Sequence, residues 1–227
     1  MRSLLAALLL SIASTAALAV STDTLYAPPE PTAKAGDVRP MPVRQAVGGH
    51  TQSDLSVRWW QWAASFQYRD SPVADRTGER CGAKQQGDVW FLAGTYGSAA
   101  TSRTCRMPAG KHVFFPLINY VVMPSSCEGC LTCERAAAKA QQMTDDAMGL
   151  FAELDGRSLE SLRDHRVASG RCFDLAERAG GPVKIEPTAS NGYWLLLPPL
   201  AKGPHTLRFG GSLPSLRQEL IYTLIVE

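Results

Sequence analysis

A mostly β fold is the class this sequence predicts: an antiparallel β-sandwich, of jelly-roll or immunoglobulin-like type, with an N-terminal helix and one inserted helix. Three observations carry that expectation. Short runs of strand formers recur along the chain, separated by Gly, Pro and Asp-Gly turn residues. The last run alternates cleanly, with Leu220, Tyr222, Leu224 and Val226 on one face and Glu219, Thr223 and Glu227 on the other. Helical spacing of apolar residues marks a stretch after Thr51 and another after Thr132.

The chain opens with Met1-Arg2-Ser3, an apolar run from Leu4, and Ala17-Leu18-Ala19. A basic start, a short apolar core and a small-x-small site describe a secretory signal peptide over residues 1–19. The run is too short and too interrupted for a transmembrane helix. The expected product is therefore exported, periplasmic or extracellular, without integral membrane association. Residues 20–48 hold Pro28, Pro29, Pro31, Pro40 and Pro42 and read as an extended leader. Residues 49–227 are then one domain of ordinary size.

Thr51 or Ser53 can cap the first helix, and Leu55, Trp59, Trp62 and Phe66 share one face of it, with Trp60 beside them. Residues 71–87 are loop-like, and Asp75 in Asp75-Arg-Thr-Gly78 suits a turn rather than a calcium loop. Asp88 to Asn119 is the densest run of strand formers, giving strands over Val89–Ala93 and Val113–Val122 around a Pro108-Ala-Gly-Lys111 turn. Pro116 predicts an edge position or a bulge. The second helix runs from Cys133 to about Met148, with Ala136, Ala140, Met143 and Ala147 inward. Leu150–Leu154 meets a hairpin signal at Asp155-Gly156. Further strands are expected at Arg166–Phe173, Gly192–Leu197 and His205–Phe209.

Lys and Arg number 23 against 21 Asp and Glu, a balance that gives no support for nucleic acid as a partner. Six cysteines, Cys81, Cys105, Cys127, Cys130, Cys133 and Cys172, read in an exported chain as disulfides. If Cys81 bridges Cys105 across the first strand, Cys172 takes one of the crowded three and the other two close on each other. Two sharper readings compete. The cluster with Cys172 could form a four-thiolate zinc site, and Cys130-Leu-Thr-Cys133 at a helix start could be redox-active. Disulfides are the expectation, with no metal and no cofactor.

The serine-hydrolase elbow, His-Glu-x-x-His, the P-loop and the dinucleotide glycine motif are all absent from the sequence. His205 shares a strand face with Leu207 and Phe209 and is the one weak catalytic candidate; His50, His112 and His165 have less distinctive contexts. Asp75, Asp88, Glu153 and Asp174 are possible acids for sugar chemistry, but sequence brings no two of them together.

Several motifs stand out together: Trp59-Trp60-x-Trp62, Asp75-x-Thr-Gly78-x-x-Cys81 and Val89-Trp-Phe-Leu-Ala-Gly-Thr95. They continue in Cys105-x-x-Pro108-Ala-Gly-Lys111, Phe114-Phe-Pro116-x-Ile118-Asn119, Gly192-Tyr-Trp194 and His205-Thr-x-x-Phe209-Gly-Gly211. This set resembles a family of exported bacterial and archaeal proteins of uncharacterised activity. The resemblance covers most of 57–123 and about 190–227, and it implies no catalytic residues. The insertion with Cys127, Cys130 and Cys133 departs from the family pattern.

The function expected from these readings is that of a binding or structural module. Its site would use Trp59, Trp60 or Trp62 with Asn119, on an unknown ligand for which carbohydrate is one candidate. The alternatives are a hydrolase or lyase acting on an extracellular polymer through His205, and a thiol-disulfide oxidoreductase.

Overall fold

The computed structural model describes residues 38–97, 100–125 and 130–227. The expected signal peptide over 1–19, the expected leader up to residue 37 and Cys127 lie outside the described residues. The chain is a β-sandwich of two sheets. One has four strands in the order β1 (Val89–Phe91), β3 (His112–Val122), β7 (Ala189–Leu197), β6 (Arg166–Ala168). The other has five, in the order β2 (Thr101–Met107), β9 (Leu216–Val226), β8 (Gly203–Leu213), β4 (Met148–Leu154), β5 (Arg157–Ser158). Each sheet is antiparallel except for one parallel pair, β1 with β3 and β2 with β9.

The four-stranded sheet is the middle layer, and its long strands are apolar on both faces. On β7, Tyr193, Leu195 and Leu197 enter the core between the sheets, where they meet Leu207, Phe209, Leu220 and Tyr222. Trp194 and Leu196 face the other way, onto helix α1 (Gln52–Ala64), which presents Leu55, Trp59 and Trp62. Every residue of β7 is buried, as a strand covered on two sides requires.

Helix α1 begins where its sequence signals it. The Thr51 hydroxyl accepts from the Asp54 amide, and the Asp54 carboxylate accepts from the Thr51 amide, a reciprocal cap worth about 1 kcal/mol. The stretch just before it is docked rather than free. Val38 is buried, the Met41 amide donates to Leu196 O at 2.8 Å, and buried Gln52 holds the Met41 and Pro42 carbonyls.

Helix α2 (Cys133–Asp145) is capped by Thr132 and buries Ala136, Ala140 and Thr144. It stops three residues short of the sequence expectation because Met148 already belongs to β4. Asp155 and Gly156, both at positive φ, close the β4–β5 hairpin. The expected strand over 166–173 is shorter. Only Arg166–Ala168 pairs with β7, and Phe173 rejoins through a single bridge to Thr188.

Strand β2 was not expected from the sequence. Its inward positions are Thr101, Arg103, Cys105 and Met107, so half of the alternation is polar. Pro116 marks a bulge and not an edge, since β3 lies between β1 and β7.

Two disulfides stand among the described residues, Cys81–Cys105 and Cys133–Cys172. Cys130 is disulfide-bonded as well. The first bridge, with the Thr104 amide on Thr77 O, ties the 71–87 loop to β2. Gly78 lies against the same strand, and a Cβ there would collide with the Thr104 carbonyl. Asp75 organises the loop from within. Its Oδ1 accepts from the Thr77 amide and hydroxyl at 2.8 and 2.9 Å, and its Oδ2 from the Arg80 amide at 2.9 Å. Burial works to raise the Asp75 carboxyl, but these donors outweigh it and hold it below its ordinary value. The Asp-x-Thr-Gly-x-x-Cys motif is therefore a loop clamp.

Candidate functional site

Between α1 and the middle sheet lies a pocket of about 160 Å³. Trp59, Trp60, Ala63 and Ala64 of α1 form one wall. Asn119, Met123 and Leu175 form another, and Val73, Gly94, Thr95, Tyr96 and Gln218 complete it. No lining side chain among the described residues carries a charge.

A bulge aims Asn119 into this pocket. In the first half of β3, Val113, Phe115 and Leu117 face the core between the sheets, and Phe114 faces α1. Regular alternation would send Asn119 into that same core. Instead the register shifts between Pro116 and Ile118, so that Pro116 opposes Trp194 and Ile118 opposes Tyr193. Beyond the shift, Ile118 and Tyr120 take the core positions, while Asn119 and Val121 turn toward α1. Re-aiming a side chain is a known use of a bulge.

Gln218 of β9 holds the bulge. Its Nε2 donates to Pro116 O at 2.7 Å and Leu117 O at 2.9 Å, and its Oε1 accepts from the Thr95 amide at 3.0 Å. Opposite Asn119 stands Gly192. A Cβ at Gly192 would lie 2.6 Å from both the Asn119 Cβ and the Ile118 carbonyl oxygen, so only glycine lets the two strands close here.

Beneath the pocket sits Arg103, 3% exposed. Its Nε donates to Asp75 O, its Nη1 to Ala93 O, Gly94 O and the Tyr222 hydroxyl, and its Nη2 to Val73 O, all between 2.7 and 3.1 Å. The Tyr222 hydroxyl in turn donates to Ala93 O at 2.9 Å. Burial pushes the Tyr222 phenol above its ordinary value, against the pull of Arg103. A charge this deep is tolerated only because neutral acceptors surround it. As a result, the Val73 and Gly94 carbonyls of the pocket floor each already accept a hydrogen bond.

Two buried polar groups on the wall residues lack a partner in the protein, and both are donors, Asn119 Nδ2 and Trp60 Nε1. Asn119 is 8% exposed and Trp60 is half-buried. At the pocket's edge Tyr96 is exposed and stacks on exposed Tyr68, with centroids 5.2 Å apart and planes 24° from parallel.

The three candidate tryptophans thus separate. Trp62 is fully buried, donates to Ala83 O at 2.9 Å and is not in the pocket wall. Trp59 is buried, donates to Leu92 O at 2.9 Å and touches the pocket from within the core. Trp60, beside the helical stripe, has the unpartnered indole. Sequence reasoning did not single out Gln218, Tyr68 or Tyr96. Gln218 reads in the sequence as one polar residue in an alternating strand, and the tyrosines lie in irregular segments with no period.

His205 does meet a carboxylate. Its Nδ1 lies 2.7 Å from Asp155 Oδ2, and its Nε2 lies 2.8 Å from Ala201 O. The ring is buried and bridges the β4–β5 turn to the chain before β8, and neither nitrogen is left for a substrate proton. The four acids considered for sugar chemistry divide too. Asp75 serves its loop, Glu153 pairs with Arg208 at 2.8 Å, Asp174 Oδ1 accepts from the Ala176 and Ile185 amides, and Asp88 lines a separate small cavity with His50 and Arg58. Cys133 is bonded to Cys172 and not to Cys130, so the Cys-x-x-Cys spacing forms neither a redox pair nor part of a thiolate metal cage. Among the described residues no group of His, Cys, Asp and Glu is arranged to hold a metal ion, and no helix is long and apolar enough to cross a membrane.

No family model, no curated protein and no solved structure matches this chain.

Proposed function

We propose that this protein is an exported binding module whose ligand enters the pocket between α1 and the bulged strand β3. One observation carries the reading: two buried donors, Asn119 Nδ2 and Trp60 Nε1, stand without protein partners in the wall of an otherwise apolar pocket. An unpaired buried donor costs about 1–3 kcal/mol. A fold that keeps two of them beside one cavity has a site in which a ligand acceptor is worth more than it is in water.

Export is supported by the Met1–Ala19 pattern and by the oxidised cysteines, which suit an oxidising compartment. The motif set that resembles an exported family adds to this, and much of that set builds the pocket or its supports. Secretion into periplasm or medium with an N-terminus at Val20 is the expected result of cell fractionation and N-terminal sequencing.

The binding test is a ligand-observed NMR screen of small neutral and charged molecules, run on the wild-type chain and on Trp60→Ala and Tyr96→Ala. Hits should lose binding in both variants while the melting temperature changes little. Trp62→Ala should instead cost about 3–5 kcal/mol of stability, as for a large aromatic removed from a core. A screen whose hits ignore both pocket variants would refute the reading.

The hydrolase or lyase alternative has the His205–Asp155 contact in its favour. It ranks second because both ring nitrogens are committed within the fold.

A further inference from the structure

The chemistry of the pocket wall also restricts what can fill it. The floor carbonyls of Val73 and Gly94 accept from Arg103, and Gln218 spends its donors on β3 and its oxygen on Thr95. The Thr95 hydroxyl donates to Gly97 O at 2.9 Å. Among the buried side-chain atoms of the wall residues, those left unpartnered are donors, the Trp60 indole N–H and the Asn119 amide N–H.

Three consequences follow for a ligand. It must bring acceptors, because the buried groups that the wall residues leave unpartnered are donors. It must be uncharged, because no lining side chain among the described residues supplies a counter-charge and an ion would be stripped of water without a partner. It must be small and largely apolar. The cavity measures about 160 Å³, and a cavity of about 150 Å³ is known to hold one benzene ring. A pyranose would fit by volume, but it would bring a ring of hydroxyl donors to a largely apolar wall where the Val73 and Gly94 carbonyls already accept from Arg103. Each unpaired hydroxyl would weaken binding.

Resting on the binding reading above, we infer that the ligand is a neutral single-ring molecule carrying a hydrogen-bond acceptor, of the aryl ketone or aryl ester class, and not a sugar. The ring lies against Trp60, and its acceptor receives the Asn119 and Trp60 N–H groups.

The test follows the Trp60 indole and Asn119 side-chain N–H signals in ¹H–¹⁵N correlation spectra, with Trp60 assigned through Trp60→Phe. Four probes are titrated separately: acetophenone, ethylbenzene, benzoate and methyl β-D-glucopyranoside. Acetophenone should shift both signals saturably, with Kd of about 1 mM or tighter. Ethylbenzene, which has the ring but no acceptor, should bind about tenfold more weakly. Benzoate and the glucoside should leave both signals in place. In Asn119→Leu the advantage of acetophenone over ethylbenzene should disappear; the wild-type comparison stands without this variant should it not fold.

If the glucoside or benzoate moves these signals as strongly as acetophenone, or ethylbenzene binds equally well, the ligand class is wrong and the pocket remains a binding site. If none of the four moves either signal, the binding reading falls, and this inference with it.

Discussion

The side-chain amide of Gln218 donates to the Pro116 carbonyl at 2.7 Å and to the neighbouring Leu117 carbonyl at 2.9 Å. A residue of the outer sheet thereby fixes an irregularity in the middle one, and that irregularity decides where Asn119 points. Replacing Gln218 by Leu leaves two buried carbonyls and the Thr95 amide unpaired. The expected loss is about 3 kcal/mol in denaturant unfolding, taking each orphan at about 1–3 and less than fully additive. The Asn119 side-chain signals should move in the NMR spectrum of the same variant. Unchanged stability and unchanged Asn119 signals would show that Gln218 does not hold the bulge.

Gly192→Ala introduces one methyl group where β7 meets β3. Its Cβ would fall 2.6 Å from the Asn119 Cβ and from the Ile118 carbonyl oxygen, so backbone must move and not merely a flexible side-chain end. Overpacking of this kind costs about 1–3 kcal/mol. Chemical denaturation measures it, and a loss below about 0.5 kcal/mol would contradict the close approach of these strands.

His165 predicts an acid-side loss of stability. The ring is buried, and desolvation lowers its pKa from the ordinary 6.5 against the smaller opposing pull of Asp164. Below pH 6.5 the unfolded chain binds a proton at this site that the folded chain does not. The stability from this residue is therefore full above pH 6.5 and is lost as the pH falls through the lowered folded value. His165→Gln should flatten the decline in melting temperature between pH 6.5 and pH 5. An identical slope in wild type and variant would remove His165 as its source.

Peptide mapping under non-reducing conditions should recover Cys81 joined to Cys105 and Cys133 joined to Cys172. The double change Cys81→Ser with Cys105→Ser should lower stability by about 2–4 kcal/mol. It should also broaden the signals of residues near Val73, because this bridge fastens the loop that supplies Val73 to the pocket and Asp75 to Arg103. Recovery of a Cys130–Cys133 peptide would overturn the pairing.

Much of the scaffold is readable from sequence because local chemistry and the final fold agree there. Thr51 caps α1 through Asp54, Asp155-Gly156 closes a hairpin, and Leu220 to Val226 alternate into the core as written. Strand β2 escapes such reading because Arg103 occupies a core position, and a charged residue breaks the apolar period by which strands are recognised. The site was half legible. Asn119 stands out as a polar end to an apolar strand, and the Trp59–Trp62 cluster marks the right helix. Which tryptophan keeps a free indole depends on rotation about α1 against β7, and that is set by packing of Trp59 against Trp62 and Trp194. The stacking of Tyr68 on Tyr96 joins two loops whose proximity no local pattern encodes.

The bulge makes the pocket depend on the length of the chain as well as on its composition. Leu117 is the residue left over where Pro116 pairs with Trp194 and Ile118 pairs with Tyr193. Deleting that one leucine would restore an unbroken strand and leave every later residue on the side it now occupies, whereas inserting one residue after it would exchange inside for outside in everything that follows. Ile118 and Tyr120 would swing toward α1, and Asn119 would be driven between the sheets among Phe115, Leu195 and Phe209. A variant gaining one apolar residue there would keep almost the same hydrophobicity and still lose both its core and its site. Along 116–118, spacing is therefore under tighter physical constraint than side-chain identity.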